Sequence, residues 1–309
     1  MIHPIPSGTR DVLPDEMREL RAIERALREV FEQAGYGEVA TPALEHETVL
    51  RRGGTAPPAY RVFDDHGNVL ALRSDMTVPI ARVAATRYAT VEPPLRFFYI
   101  ANAYRQVRPH RGQMREFKQA GIELLGPERP VGTAEVLRVL CTALEAIGLA
   151  DFRIGLGSRA VLRSVFDDDV DEAAVDALEQ ALSARDLVSV ERLAAEAGIA
   201  DEVTRTLALR GGPEVLDSAP VPAAAERLRA LYELLDDDVA RRVIFDLGLS
   251  RGLGYYTGAV FEVYAPGIGA PLGGGGRYDE LLGRFGRPLP AAGFALTIDR
   301  LHEALTRSP

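Results

Sequence analysis

Residues 95–125 decide the fold, and they read LRFFYIANAYRQVRPHRGQMREFKQAGIELL. Two runs are rich in the aromatic and apolar residues typical of β-strands, namely Leu95–Tyr104 and Phe117–Leu125. The segment that joins them, Arg105–Glu116, holds four arginines and is predicted to be a charged loop. The pattern therefore predicts two adjacent antiparallel strands, and the other elements are expected to gather around this pair.

The sequence on either side supplies further strands and amphipathic helices. The clearest helix is Asp15–Ala34, because its apolar residues recur at helical spacing and Pro14 precedes its first turn. Other helices are predicted at Thr77–Ala89, Val131–Ile147, near Asp279–Phe285 and at Ile298–Leu305. Further strands are predicted at Glu38–Ala40, Val62–Phe63, Val69–Leu72, Phe152–Leu156, Val243–Leu247, Tyr255–Tyr264 and Gly293–Leu296. Strands and helices do not alternate strictly, so the order favours an α+β fold with a mostly antiparallel sheet flanked by helices.

A change of composition marks an insertion in this fold. Between Val161 and Leu235 the chain is dominated by alanine, leucine, glutamate, aspartate and arginine, and β-like runs are missing. We therefore expect a core formed by residues 1–160 and 243–309, interrupted by a helical insertion subdomain at 161–242. No internal repeat is visible.

Composition restricts the class of protein. Of the 309 residues, 47% are hydrophobic and 26% are charged, which is typical of a globular protein. No apolar run reaches the roughly 18 residues of a membrane span, and the N-terminus resembles no signal peptide. The single cysteine, Cys141, lies in an apolar helical pattern and fits a reducing cytoplasm. A net charge of −9 argues weakly against RNA as the main partner.

The segment Arg251–Gly258, RGLGYYTG, has the highest density of side chains that can bind a ligand. A guanidinium, two phenols and flexible glycines within eight residues suit the binding of a small polar ligand. If Tyr255 and Tyr256 belong to a strand, they point to opposite faces, and only one of them can line a pocket. An ordinary turn with a surface arginine is the alternative.

Three more segments hold candidate functional groups. Asp75 lies at the start of a predicted helix, where it can bind a ligand or simply cap the helix. Gln119 and Glu123 lie an even number of positions apart on a predicted strand, so they share one face. That face either lines a site or faces solvent. The run Gly273–Gly276 is only a weak sign of phosphate binding, because no Walker lysine follows it.

Together these segments resemble the histidyl-tRNA synthetases and their class II relatives over nearly the whole chain. Pro6–Asp11 matches the opening of that family, and the Asp15–Ala34 helix is similar to motif 1, which forms the dimer interface there. Arg105–Glu123 resembles motif 2, and Gly293–Leu301 resembles motif 3. The resemblance implies a class II aminoacyl-tRNA synthetase-like fold and a homodimer.

The resemblance also implies roles for individual residues. A histidine site would comprise Asp75, Gln119, Glu123, Arg251, Tyr255 and Tyr256. Asp75 would bind the ammonium group and Gln119 the amino and carboxylate end, while Glu123 and Tyr256 would hold the imidazole nitrogens. Arg251 would face the carboxylate. Arg105 and Arg300 match arginines that bind ATP phosphates in the enzymes and would form a vestigial phosphate site here.

The chain departs from the synthetases at several positions. Val107 stands where motif 2 has a glutamate that accepts from adenine, and Met76 and Gly254 also differ from the family pattern. The chain ends soon after motif 3, so we expect no anticodon-binding domain. Leu72–Thr77 and Arg115–Gln119 match segments of the regulatory subunits of ATP phosphoribosyltransferase, which are synthetase-like relatives.

The departures favour a non-catalytic subunit that binds histidine and controls a short-form catalytic phosphoribosyltransferase in a hetero-oligomer. No metal, cofactor, tRNA or membrane is expected. One alternative is an enzyme that forms an aminoacyl-adenylate, which Arg105, Arg251 and Arg300 favour and Val107 opposes. A second is a structural partner without a ligand. If histidine does bind, its site is either the synthetase-like pocket or a subunit interface.

Overall fold

The computed structural model describes residues 4–54, 60–106, 114–163, 171–252 and 254–307. Its strands are β1 (Gly37–Glu38), β2 (Leu44–His46), β3 (Arg61–Phe63), β4 (Val69–Leu72), β5 (Leu95–Tyr104), β6 (Glu116–Leu125), β7 (Arg153–Ser158), β8 (Arg210–Gly211), β9 (Val243–Asp246), β10 (Ala259–Tyr264), β11 (Gly273–Arg277) and β12 (Ala291–Thr297). Its helices are α1 (Pro14–Gln33), α2 (Glu47–Arg51), α3 (Thr77–Thr86), α4 (Val131–Ala146), α5 (Arg159–Arg163), α6 (Glu172–Ser183), α7 (Leu187–Glu196), α8 (Ala200–Ala208), α9 (Pro222–Tyr232), α10 (Asp237–Ala240) and α11 (Ile298–Arg307). Short 3₁₀ turns cover Pro213–Ser218 and Leu282–Phe285.

One large sheet organises the described part of the chain. It has nine strands, which pair in the order β1-β5-β6-β12-β11-β10-β7-β9-β8. The other three strands, in the order β2-β4-β3, form a separate small sheet. β1 pairs with β5 and β7 with β9 in parallel, whereas the other pairs of the large sheet are antiparallel. The predicted pair β5 and β6 is antiparallel along its whole length. This confirms the mostly antiparallel α+β fold.

The main hydrophobic core lies between the sheet and the helices α1, α4 and α11. Leu27 and Phe31 of α1 are fully buried, and the ring of Phe31 lies against Phe98 of β5 and Phe294 of β12. The apolar stripe predicted for Asp15–Ala34 therefore packs on the middle of the sheet, as an amphipathic helix does. The opposite face of the sheet at β6, β11 and β12 carries polar residues and glycines together with small apolar residues such as Ala291 and Ala295.

The segment 161–242 is mostly helical and has two packing environments. Leu178, Val190 and Val203, among others, form a cluster of their own in α6, α7 and α8. Residues of α9 and of the turn before it, such as Leu216 and Leu228, join the main core instead. The segment also contains β8, which the sequence analysis did not predict, because two residues carry no readable β pattern.

Several predicted bounds changed in the structure. The segment Asp279–Phe285 forms only a 3₁₀ turn, and the predicted strand Tyr255–Tyr264 begins at Ala259. The glycine run is itself a strand, β11. Across the described ranges, no helix combines the length and the hydrophobicity needed to cross a membrane.

Candidate ligand-binding pocket

The pocket lies on the sheet face opposite the main core. Strand register places five residues in one row across β5, β6, β12, β11 and β10: Tyr99, Gly121, Ala295, Gly274 and Glu262. Because the middle three have little or no side chain, the row forms a trough between a phenol and a carboxylate. Larger polar side chains from neighbouring segments fill this trough.

The glycines of the trough make room for functional side chains. A Cβ atom built on Gly274 would overlap the guanidinium of Arg251, and one built on Gly293 would overlap the carboxylate of Glu123. A strand of glycines is otherwise unfavourable, since glycine packs nothing and loses the most backbone entropy. Gly274 and Gly276 are therefore explained by the close approach of Arg251 and Tyr256, and Gly273 and Gly275 by the backbone of β12, so no phosphate is needed to account for the run.

A small cavity of about 20 Å³ remains at the centre. Its polar lining includes Asp75, Arg105, Gln119, Arg251, Tyr255 and Tyr256. The volume is enough for about one water molecule. A ligand of amino-acid size enters only if one or more lining side chains move.

Asp75 caps a helix and also lines the cavity, so the capping interpretation is confirmed and ligand binding stays a prediction. Its carboxylate accepts the backbone N–H of Val78 at 3.1 Å, so it caps α3, and it also lines the cavity. Burial raises the pKa of this carboxyl, while the Val78 N–H and the charge of Arg105 act in the opposite direction. The cap fixes the carboxylate in place, as a binding group requires.

Glu123 is buried behind the cavity wall, only 1% exposed. Thr77 donates its hydroxyl to Oε1 at 2.6 Å, and the Tyr278 hydroxyl donates to Oε2. Burial raises the pKa of Glu123 to about 8, although these two hydrogen bonds favour the charged form. Gln119, at 6% exposed, lies on the same face, so the alternative of a solvated sheet face is wrong for both.

The two adjacent tyrosines correct a prediction. Tyr255 and Tyr256 precede β10 in an irregular segment, so the alternation of a strand does not apply to them. Both are nearly fully buried, both line the cavity, and their ring centroids are 4.9 Å apart. The expectation that only one could reach the pocket is therefore wrong. Burial raises the pKa of both phenols, so both stay neutral donors.

Arg251 lies across the trough above Gly274. Its Nη1 donates to the carbonyl oxygen of Phe261 at 3.1 Å, and its guanidinium is 5.9 Å from the ring centroid of Tyr256. These contacts leave other N–H groups of its five-donor fork available for a ligand. The alternative of a surface arginine in a plain turn is wrong, because the side chain is largely buried.

Arg105 and Arg300 flank this arginine. Arg105 donates to the carbonyl oxygen of Ser74 at 3.1 Å and lies over the ring of Phe117. Burial lowers the pKa of Arg105, and the positive charges of Arg251 and Arg300 lower it further. Arg300 donates to the carbonyl oxygen of Pro271 and is not among the residues that line the described cavity. The three cations thus lie within electrostatic range of one another.

Two polar atoms of the pocket are buried without a partner. Within the described ranges, the hydroxyl of Tyr99 and Oε1 of Gln119 make no hydrogen bond. Buried polar groups are normally paired, because an unpaired one costs roughly 1–3 kcal/mol. The trough therefore has unmet hydrogen-bonding capacity that a polar ligand can use.

Sequence reasoning missed three residues of the pocket: Thr77, Tyr99 and Tyr278. Thr77 and Tyr99 are on the cavity wall, and Tyr278 binds Glu123. Tyr99 is recognised by its position opposite Gly121, and that position becomes visible only once the two strands are paired. Val107 lies outside the described residues, so the departure from motif 2 rests on the sequence alone.

Known proteins resemble this chain over nearly its full length. A sequence profile described as histidyl-tRNA synthetase matches residues 8–301. Proteins named ATP phosphoribosyltransferase regulatory subunit are similar: that of Desulforamulus reducens is 42% identical across 97% of this chain and 78% of its own length. The one from Symbiobacterium thermophilum is 44% identical across 96% of this chain and 78% of its own length.

Solved structures agree with the sequence relatives. A crystal structure from Bacillus halodurans, described as an ATP phosphoribosyltransferase regulatory subunit/histidyl-tRNA synthetase, superimposes with a TM-score of 0.87 at 32% identity, covering 99% of this chain and 84% of that one. A histidine–tRNA ligase subunit from Alicyclobacillus acidocaldarius gives a TM-score of 0.83 at 33% identity, covering 99% of this chain and 98% of that one. The fold and its pocket face thus define a class II synthetase-like protein. The chain belongs to the histidyl-tRNA synthetase family and, within it, to the ATP phosphoribosyltransferase regulatory subunits.

Proposed function

We propose that this chain binds histidine in the described pocket and thereby controls a catalytic ATP phosphoribosyltransferase, as feedback on the first step of histidine biosynthesis. The names of its relatives support the partner. The ligand is supported by the pocket, in which, among the described residues, Tyr99 and Gln119 have unpaired buried atoms beside the carboxylate of Asp75 and two arginines, with Glu123 behind the wall. That unmet hydrogen bonding is the observation that carries the proposal.

Each polar group of histidine has a matching group in this pocket. Asp75 suits the ammonium group, and Arg251 suits the carboxylate, because a guanidinium binds carboxylates in a bidentate manner. Glu123 and Tyr256 suit the imidazole, since one ring nitrogen donates and the other accepts or donates according to its charge. Gln119 can pair with the amino and carboxylate end.

Control of a partner requires that histidine bind one state of the complex more tightly than another. The cavity of about 20 Å³ is too small for free histidine, so binding must be coupled to side-chain movement. Such movement can be transmitted to the partner and can provide a coupling free energy of roughly 1–3 kcal/mol between the two subunits. The proposal includes a homodimer within a cytoplasmic hetero-oligomer, and no catalysis by this chain.

The test is calorimetry of the purified chain with histidine, followed by activity titrations of the complex with the short-form catalytic subunit. We expect binding by the free chain and falling activity of the complex as histidine is added. Replacing Arg251 by Met should relieve inhibition by at least tenfold in histidine concentration, because it removes the partner of the carboxylate. Equal inhibition of the Arg251→Met complex would place the inhibitory histidine elsewhere, for example at the subunit interface.

A second candidate function is formation of an aminoacyl-adenylate. It is favoured by Arg105, Arg251 and Arg300, which lie within electrostatic range of one another and together suit a polyphosphate. Pyrophosphate exchange dependent on histidine and ATP distinguishes the two functions. Robust exchange would establish the enzyme, and its absence together with histidine binding would support the regulatory subunit.

A further inference from the structure

Glu262 stands at the boundary between the pocket and the helical insertion. It lies on β10, and its neighbours in the adjacent strands are Gly274 of β11 and Gly155 of β7. Because neither glycine has a side chain, the carboxylate is free to reach to both sides along the sheet face. On one side is the pocket, and on the other is a cleft of about 860 Å³ between β7, β9, β10 and helices α6 to α8.

Two arginines from different parts of the chain share this carboxylate. Oε1 faces Nη1 of Arg251 at 4.0 Å, on the pocket side. Oε2 accepts from Arg185 at 3.0 Å and from the hydroxyl of Tyr264 at 2.6 Å, on the cleft side. Arg185 belongs to the turn between α6 and α7, and its guanidinium also lies over the Tyr264 ring.

A second contact joins the same helix to the same part of the pocket. Glu179 of α6 pairs with Arg159 at 2.8 Å, and Arg159 donates to the backbone carbonyl oxygen of Tyr256 at 3.0 Å. The C-terminal half of α6 is therefore connected to the Arg251–Tyr256 segment by two separate chains of polar contacts. A shift of α6 changes both chains together.

We propose that Glu262 is a positioning residue through which the helical insertion sets the availability of Arg251 for the ligand. This inference rests on the proposed binding of histidine. While Arg185 engages Glu262, much of the carboxylate charge is neutralised, and Arg251 can bind the carboxylate of the ligand. When α6 moves and withdraws Arg185, Glu262 competes with the ligand for Arg251.

The direction follows from charge balance. Arg251 and Arg300 are both within electrostatic range of Glu262, so removing Arg185 leaves the carboxylate to these cations alone. A movement of the insertion is thereby converted into a change of affinity in the pocket, and histidine binding in turn favours the position of α6 that keeps Arg185 on Glu262. Such reciprocity is required of any linkage between two sites.

The test is a double-mutant cycle on the full chain, with histidine affinity measured by calorimetry. We expect Arg185→Met to weaken histidine binding about three- to tenfold, within the usual coupling between contacting residues. The same change made in a Glu262→Gln background should have no effect, because the competing carboxylate is gone. Arg185→Lys should restore most of the wild-type affinity, which a purely structural role of the guanidinium would not predict.

Arg192→Met is the matched control, because Arg192 pairs with Glu196 on the exposed surface of α7 in the same insertion. It should leave the affinity unchanged. An equal loss from Arg185→Met in both backgrounds, or no loss in either, would overturn the coupling while the proposed function stands. No histidine binding by the wild-type chain would overturn the proposed function and this inference together.

Discussion

The pocket and the cleft lie on the same face of the sheet. They differ in volume and in whether their polar groups have partners. The cleft under the insertion has about 860 Å³, yet arginines on its wall are paired with carboxylates, Arg185 with Glu262 and Arg210 with Asp246. The pocket beyond Glu262 has about 20 Å³ and contains the unpaired hydroxyl of Tyr99. The comparison predicts that a polar ligand binds in the pocket, where hydrogen-bonding groups are unpaired, rather than in the larger cleft.

The largest effect should come from filling the trough. Gly293→Ala places a methyl group against the Glu123 carboxylate and the carbonyl oxygen of Ile122, and backbone cannot yield easily. We expect a loss of about 3 kcal/mol in unfolding free energy, at the upper end of overpacking, and loss of histidine binding. Urea denaturation and calorimetry provide the measurements. Gly269→Ala is the control, because its Cβ would meet nothing within 4 Å, and an equal loss there would refute the steric argument.

A smaller effect should appear in the pH dependence of stability. The folded pKa of Glu123, about 8, lies above its ordinary value of 4.5, so the folded state holds a proton that the unfolded chain releases. This contribution is fully present below pH 4.5 and is lost as pH rises through about 8. We expect unfolding free energy to fall by about 1.4 kcal/mol between pH 6 and pH 7, inside that window, since one pKa unit corresponds to that amount.

The Glu123→Gln variant isolates that contribution. Glutamine keeps the shape but cannot titrate, so its stability profile between pH 5 and pH 8 should be flatter than that of the wild type. Histidine binding measured above pH 8, where the Glu123 carboxyl is ionised, should weaken by roughly 1–3 kcal/mol, the usual value of a charge-assisted hydrogen bond. Denaturation at a series of pH values checks the first expectation, and calorimetry the second. Parallel profiles for the two proteins would mean that Glu123 is ionised in the folded state.

The smallest effect should come from the cleft. Thr204→Val changes an exposed residue of its wall without altering size or charge. Histidine affinity and unfolding free energy should both stay within about 0.5 kcal/mol of wild type, as for ordinary surface substitutions. Calorimetry with histidine measures the affinity, and urea denaturation measures the unfolding free energy. A large loss of affinity would show that the cleft takes part in binding and that volume had been the better guide.

The sequence was sufficient wherever one pattern decided the local structure. The apolar stripe of Asp15–Ala34 predicted α1 to within one residue at each end, and the paired runs around the arginine segment predicted β5 and β6. Asp75, Gln119, Arg251 and Tyr256, quoted from distant segments, lie around one cavity. Their role toward a ligand stays a prediction.

What the sequence could not provide depends on contacts between distant strands. Tyr99 and Glu262 enter the site region through strand register, which no local pattern encodes. Tyr255 was restricted to one face by assuming a strand that begins four residues later, at Ala259. The glycine strand was missed because glycine disfavours strands on its own, and its glycines are explained by backbone and side chains of other segments that approach them closely.

The glycine strand has a consequence for how the chain folds. In β11, Gly273 and Gly275 lie against β12, and Gly274 and Gly276 lie under Arg251 and Tyr256, so its first four residues bring no apolar side chain of their own. Such a segment has little tendency to order itself, and glycine loses the most conformational entropy on ordering. We therefore expect β11 to form between β10 and β12 only once these are in place, so that the floor of the pocket orders late in folding.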